Sequence, residues 1–175
     1  MVQYRPDAVS DAAFLEKAKA LREITRPAGC LLLINDRADI ALLADADGVH
    51  LGKGDVPVAE ARRLLGQGRI VGYSAHEPDE AARAEESGAD FITYSPIFPT
   101  TSHSLPRDVV GVEKLKEVVE KQRLRIPVFP LGGIGLEQIK MLRSAGIRRA
   151  AVVTAITEAE DMAAAAAGLI AELRV

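Results

Sequence analysis

Val128-Phe129-Pro130-Leu131-Gly132-Gly133-Ile134 and, after one helical segment, Ala150-Ala151-Val152-Val153-Thr154-Ala155-Ile156 decide how this chain is read. Each stretch starts as a short apolar run, the pattern of a strand buried on both faces in a parallel sheet. Each then ends in residues that suit a phosphate. Paired glycines let backbone N–H groups approach an anion at the start of the next helix, where the helix dipole adds to the attraction. The plain alternative is a tight βα turn that simply requires Gly. A Gly pair after the penultimate strand and a Thr after the last match the phosphate site of βα barrels.

The same arrangement recurs upstream. Asn35-Asp36 follows the apolar run 30–34, and His50-Leu51-Gly52-Lys53-Gly54-Asp55 follows Gly48-Val49. Ser74-Ala75-His76 follows Ile70-Val71-Gly72-Tyr73, and the polar stretch from Ser95 to His103 follows Phe91-Ile92-Thr93-Tyr94. The pattern predicts strands at 2–5, 30–34, 48–51, 69–73, 90–94, 127–131 and 149–153. It predicts helices at 11–25, 37–44, 56–65, 78–87, 111–121, 136–145 and 158–173. Phe14, Leu15, Ala18, Leu21 and Ile24 have helical spacing. Pro78 suits a first helical turn, and Gly66, Gly88 and Gly146 suit helix stops. Strict alternation means a βα barrel or a doubly wound open sheet. Site-like residues after nearly every strand favour the barrel, because an open sheet gathers them at one switch point. The expected fold is therefore an α/β TIM (β/α) barrel of seven βα units, lacking the first of the usual eight, in a single domain over 1–175.

Composition narrows the function. The 175 residues are 48% apolar, enough for a core, and 22 basic against 25 acidic residues leave a net charge of −3 without long runs of one sign. No footprint for nucleic acid or an anionic membrane follows, and seven Phe and Tyr with no Trp give no stacking platform. Cys30, the lone cysteine, sits in an apolar run and reads as a small buried hydrophobe with no intrachain disulfide. No leader or spanning stretch is seen, so a soluble cytoplasmic protein is expected. A homo-oligomer is left open.

Asp36 and Asp55 follow two adjacent strands. Mg²⁺ prefers carboxylates, keeps several waters and bridges substrate phosphates, so the two can share such an ion, with Asn35 beside them. The plain alternative is that each caps the helix that follows it. Gln3 and Arg5 close the first strand, and Arg offers a bidentate anion contact. The connection 95–110 holds Pro99-Thr100-Thr101-Ser102-His103-Ser104, whose hydroxyls and imidazole can wrap a phosphate; long connections in compact domains are commonly functional. His50, within a strand-end run, reads as structural, and His76 as orienting its neighbours. Neither Ser-His-Asp nor Cys-His nor zinc-like spacing stands out.

Taken together, Gln3-Tyr4-Arg5, 33–37, 48–55, Gly72-Tyr73-Ser74-Ala75-His76, Pro96-Ile97-Phe98-Pro99-Thr100, Gly132-Gly133-Ile134 and 153–156 resemble the thiamine phosphate synthase family, which includes a thiazole tautomerase branch. The resemblance runs in register over nearly the whole chain, starting at the second strand of the family's barrel. It implies a transferase of thiamine biosynthesis that joins hydroxymethylpyrimidine pyrophosphate to a thiazole phosphate. By that resemblance Gln3, Arg5 and Asn35 contact the pyrimidine and its pyrophosphate, and Ser74 helps position the pyrimidine. Asp36 and Asp55 hold Mg²⁺, Gly133 and Thr154 bind the thiazole phosphate, and Thr100 and Ser102 lie on the loop over the pyrophosphate. The chain departs from the family at Asp7 and His103, where Lys is usual, and at Lys53, where Gln is usual. His103 would then serve pyrophosphate departure when protonated. The alternatives are the tautomerase and a non-catalytic binder of thiazole or thiamine phosphate.

Overall fold

Short apolar runs form strands and amphipathic segments form helices in alternation, as their side-chain periods require. The computed structural model describes residues 1–100, 108–121 and 124–174. They fall into two compact units, Met1–Ala75 with Glu80–Ile92, and His76–Asp79 with Thr93–Val175.

The first unit holds β1 (Val2–Tyr4), α1 (Asp11–Thr25), β2 (Leu32–Asn35), α2 (Ala38–Leu43), β3 (Gly48–Leu51), α3 (Val58–Leu65), β4 (Ile70–Ala75), most of α4 (Pro78–Glu86) and the start of β5 (Phe91–Tyr94). Strands β1 to β4 pair in parallel in chain order, with Val2 opposite Leu32, Leu33 opposite Gly48 and Gly48 opposite Ile70. Leu32, Leu33, Ile34, Val49 and Val71 are wholly buried. Each of these four helices buries an alanine, namely Ala18, Ala41, Ala61 and Ala81. A methyl side chain lets a helix approach a strand closely without leaving a void.

At the N-terminal ends of these strands a repeated clamp fixes the register. Asp47, just before β3, accepts from Leu32 N at 2.8 Å and takes a two-pronged bond from Arg22 of α1 at 2.7 and 3.1 Å. Asp90, just before β5, accepts from Val71 N at 2.7 Å and from Arg62 of α3 at 2.5 Å. Inside the unit, His50 of β3 stacks on Phe91 of β5, ring centroids 5.3 Å apart. Gly72 of β4 makes room for them, since a Cβ there would lie 2.3 Å from the Phe91 ring and 2.5 Å from His50 Nδ1.

The second unit holds the end of β5, α5 (Gly111–Lys121), β6 (Val128–Pro130), α6 (Leu136–Ser144), α7 (Thr154–Thr157) and α8 (Met162–Arg174). Strand β6 lies beside β5. Tyr94, Ile97, Leu115, Val118, Ile139 and Leu142 are its buried core.

Three expectations change here. Six strands, not seven, are found among the described residues, so an α/β fold of parallel-strand type is seen rather than a seven-unit barrel. The segment 149–153 forms no strand, although Ala151 N donates to Pro130 O at 2.8 Å. Pro130 has no N–H, which removes one rung from any ladder between the two. The predicted helix at 158–173 starts at Met162 and is preceded by the separate turn α7. Cys30 is partly exposed rather than buried.

Candidate functional site

At and just after the C-terminal halves of β1, β2 and β3 the first unit gathers Gln3, Arg5, Asn35, Asp36 and Asp55. Gln3 Nε2 donates to Asn35 Oδ1. Asn35 in turn bonds the Asp36 carboxyl, which also shares a hydrogen bond with Asp55. Asp36 leaves β2 in the left-handed region, at φ 63°, with its N–H donated to His50 O at 2.8 Å. Left-handed backbone is uncommon outside Gly, and Asp is among the side chains that tolerate it. Asp55 Oδ2 accepts from Gly52 N at 2.6 Å, which closes the loop after β3.

Neither aspartate caps its helix. The N-cap of α2 is Arg37 and that of α3 is Pro57, and neither helix start has a side-chain cap bond. Burial first, then the hydrogen bond and charge of Asp55, push the Asp36 carboxyl up to about 6, while Arg5 and Asn35 pull it down. A second carboxylate this close disfavours ionisation of Asp36, and a cation between the two would relieve that cost. The donor set, two carboxylates flanked by amides, fits a hard divalent cation that completes its shell with water and substrate oxygen. No group of three or more His, Cys, Asp or Glu suited to a metal occurs among the described residues.

Ser74 is the next-to-last residue of β4 and half-buried. A cleft of about 360 Å³ in the same unit is lined by Gly52, Lys53, Asp55, Tyr73, Glu80 and Arg83 among others. Lys53 lies 3.7 Å from Glu80, so its charge answers a carboxylate of this chain. Burial and then Glu80 push the Tyr73 phenol up. Nothing in the sequence singled out Glu80, which reads there as one polar residue of an amphipathic helix. His50 is buried, and burial pushes its imidazole down to about 4, so it is neutral at pH 7 and serves packing there.

In the second unit, Thr100, Gly133 and Thr154 are found. Gly132 and Gly133 both have positive φ, at 98° and 63°. A Cβ at Gly133 would lie 2.2 Å from Pro99 O, and one at Gly132 would lie 2.8 Å from Pro96 Cβ. Close packing under the segment 96–99 therefore requires both glycines on steric grounds alone. Thr154 opens α7. His76, in the connection after β4, bonds Ser95 O through Nδ1 at 2.8 Å. Ser102 and His103 lie outside the described residues. No helix among the described residues is long and apolar enough to cross a membrane.

An α/β scaffold with polar groups gathered at the carboxyl ends of successive strands is the arrangement of a small-molecule enzyme. Residues 1–156 match the thiamine monophosphate synthase family. The chain is 44% identical over 171 residues to a thiamine-phosphate synthase of Chlorobium luteolum, covering 98% of this chain and 80% of that protein. It is 42% identical over 175 residues to one from Chloroflexus aurantiacus, covering 100% and 80%. Among solved structures, thiamine phosphate pyrophosphorylase from Pyrococcus furiosus superposes with a TM-score of 0.87 at 34% identity, over 98% of this chain and 81% of that one. A 3-hexulose-6-phosphate synthase, at 22% identity and TM-score 0.67 over 90% and 80%, shares the fold. The chain belongs to the thiamine monophosphate synthase family.

Proposed function

We propose that this chain makes thiamine phosphate, joining hydroxymethylpyrimidine pyrophosphate to a thiazole phosphate and releasing pyrophosphate, with Mg²⁺ as cofactor. The observation that carries the reading is the Asp36–Asp55 pair, hydrogen-bonded to each other, spared from helix capping and flanked by Asn35 and Gln3. Mg²⁺ held by Asp36 and Asp55 would neutralise the charge that develops on the departing pyrophosphate.

The chain's own residues supply the rest. Gln3 and Asn35 form an amide relay that fixes the Asp36 carboxyl and presents donors toward the pyrimidine and its pyrophosphate. Arg5 adds a fixed positive charge near Asp36. Ser74 helps position the pyrimidine. Gly133 and Thr154 take the thiazole phosphate, and Thr100 with Ser102 and His103 serves the pyrophosphate. The electron-rich pyrimidine stabilises the cation left when its C–O bond breaks, so no protein nucleophile is needed. The thiazole nitrogen forms the new C–N bond. We take the whole stretch 1–175 as one catalytic domain related to the βα barrels.

The test is an assay of the purified protein with both heterocyclic phosphates, with and without Mg²⁺, following thiamine phosphate and free pyrophosphate. Formation of both products in equal amounts, dependent on Mg²⁺, is expected. Isomerisation of a thiazole carboxylate phosphate without either product would identify a tautomerase, and phosphate binding without turnover a sensor.

A further inference from the structure

The long connection between β5 and α5 starts and ends on the same few residues. Val110 N donates to Pro96 O at 2.8 Å and Gly111 N to Ile97 O at 3.2 Å. From another side, Ile97 N donates to Leu131 O at 2.9 Å and Phe98 N to Gly132 O at 3.1 Å. Gly133 packs directly under Pro99 O. Residues 95–99 are thus the base on which Thr100 stands. One contact to this base comes from a different connection altogether. His76 Nδ1 lies 2.8 Å from the carbonyl oxygen of Ser95, a residue only 1% exposed. A carbonyl cannot donate, so Nδ1 carries the proton in this bond. The next residue, Glu77, reaches Lys114 of α5 at 3.7 Å, a second tie from the same connection. His76, Ser95, Pro96, Asp108 and Lys114 line one cleft of about 470 Å³ in the second unit.

We propose that His76 is a positioning residue, whose Nδ1–H holds the Ser95 carbonyl and thereby sets the base that carries Thr100. The proposal rests on the reading of the chain as a thiamine phosphate synthase, and it adds a residue that acts through another rather than on the reacting atoms. Misplacement of a substrate-contacting group by about 1 Å can cost around a hundredfold in rate, so a pin of this kind is visible in kinetics.

Asn and Gln separate the two ring nitrogens. The Asn amide nitrogen can occupy the place of Nδ1, whereas the Gln amide reaches the place of Nε2. His76→Asn should keep kcat/KM for the pyrophosphate substrate within about threefold of wild type, and His76→Gln should lower it about tenfold or more. The Mg²⁺ concentration for half-maximal rate should stay unchanged in both. Amide exchange at Ile97 and Phe98 reads the base without turnover, and it should quicken about tenfold in His76→Gln and stay near wild type in His76→Asn. The reverse order of the two variants in kinetics would make the ring act through Nε2 and overturn the proposal. So would unchanged exchange in His76→Gln. Absence of thiamine phosphate with the wild-type protein would fail the functional reading alone, and the exchange measurement would still decide the role of His76.

Discussion

The two ends of the strands in the first unit use aspartate in opposite ways. At the N-terminal ends, Asp47 and Asp90 each accept an N–H from the neighbouring strand and a guanidinium from a helix, Arg22 or Arg62. Their charge is fully answered by the fold. At the C-terminal ends, Asp36 and Asp55 are bonded to each other, and burial with that second carboxylate pushes Asp36 up to about 6. One arrangement fixes register. The other sets two carboxylates against each other, a charge that Arg5 answers in part and that a cation can complete. In βα proteins the C-terminal ends carry chemistry and the N-terminal ends carry stability, and here the partners of four aspartates show how the division is made.

The largest expected break of this symmetry is in turnover. Asp36→Asn and Asp55→Asn should each lower Mg²⁺-dependent formation of thiamine phosphate by about a hundredfold or more, with a melting temperature within a few degrees of wild type. Near-wild-type rates at low Mg²⁺ in both variants would remove the metal assignment.

Asp47→Ala should do the converse. It strands a mostly buried guanidinium, Arg22 being 15% exposed, and leaves Leu32 N without its carboxylate. A loss of roughly 2 kcal/mol is expected, or roughly 4–8 °C in melting temperature for a chain of this size. Turnover per folded molecule should be kept. Thermal melts beside rates corrected for active protein decide it, and a catalytic loss without a stability loss would erase the contrast.

The smallest effect lies in the pH dependence of stability without divalent cation. His50 titrates at about 4 when folded and near ~6.5 when unfolded. Its contribution is therefore present above pH ~6.5 and is lost as pH falls toward 4. Asp36 titrates at about 6 when folded against 3.8 for a free side chain. Its contribution is present below pH 3.8 and is lost as pH rises through about 6. The two oppose each other in the same window. Urea midpoints of the wild type should be nearly level from pH 4 to 6, should fall with rising pH in His50→Gln, and should rise with pH in Asp36→Asn. Parallel curves for all three would show that neither group is displaced as described.

Much of this was legible in the sequence, for local reasons. Strands β1 to β6 fall within two residues of the predicted ranges, most directly β2, β3 and β5, which are buried along nearly their whole length as apolar runs predict. Asp36 and Asp55 stood out because each follows a strand, but only the structure shows that neither caps a helix. What could not be read depends on distant partners. Nothing near 149–153 reveals that the neighbouring strand presents Pro130 instead of an N–H. Gly132 and Gly133 read as a phosphate turn, whereas Pro96 and Pro99, far away in the chain, also require them. The clamps do carry a local signal, an Asp directly before an apolar run at Asp47-Gly48 and again at Asp90-Phe91, but their arginine partners lie on helices more than twenty residues away.

Direct binding of Mg²⁺ tests the central claim without any need for turnover. Calorimetric titration of Mg²⁺ in the presence of inorganic pyrophosphate should show one saturable site in wild type and in Asp47→Asn, weakened at least about tenfold in Asp36→Asn and in Asp55→Asn. Equal affinity in all four proteins would contradict the account and place the cation, if one binds, away from the ends of β2 and β3.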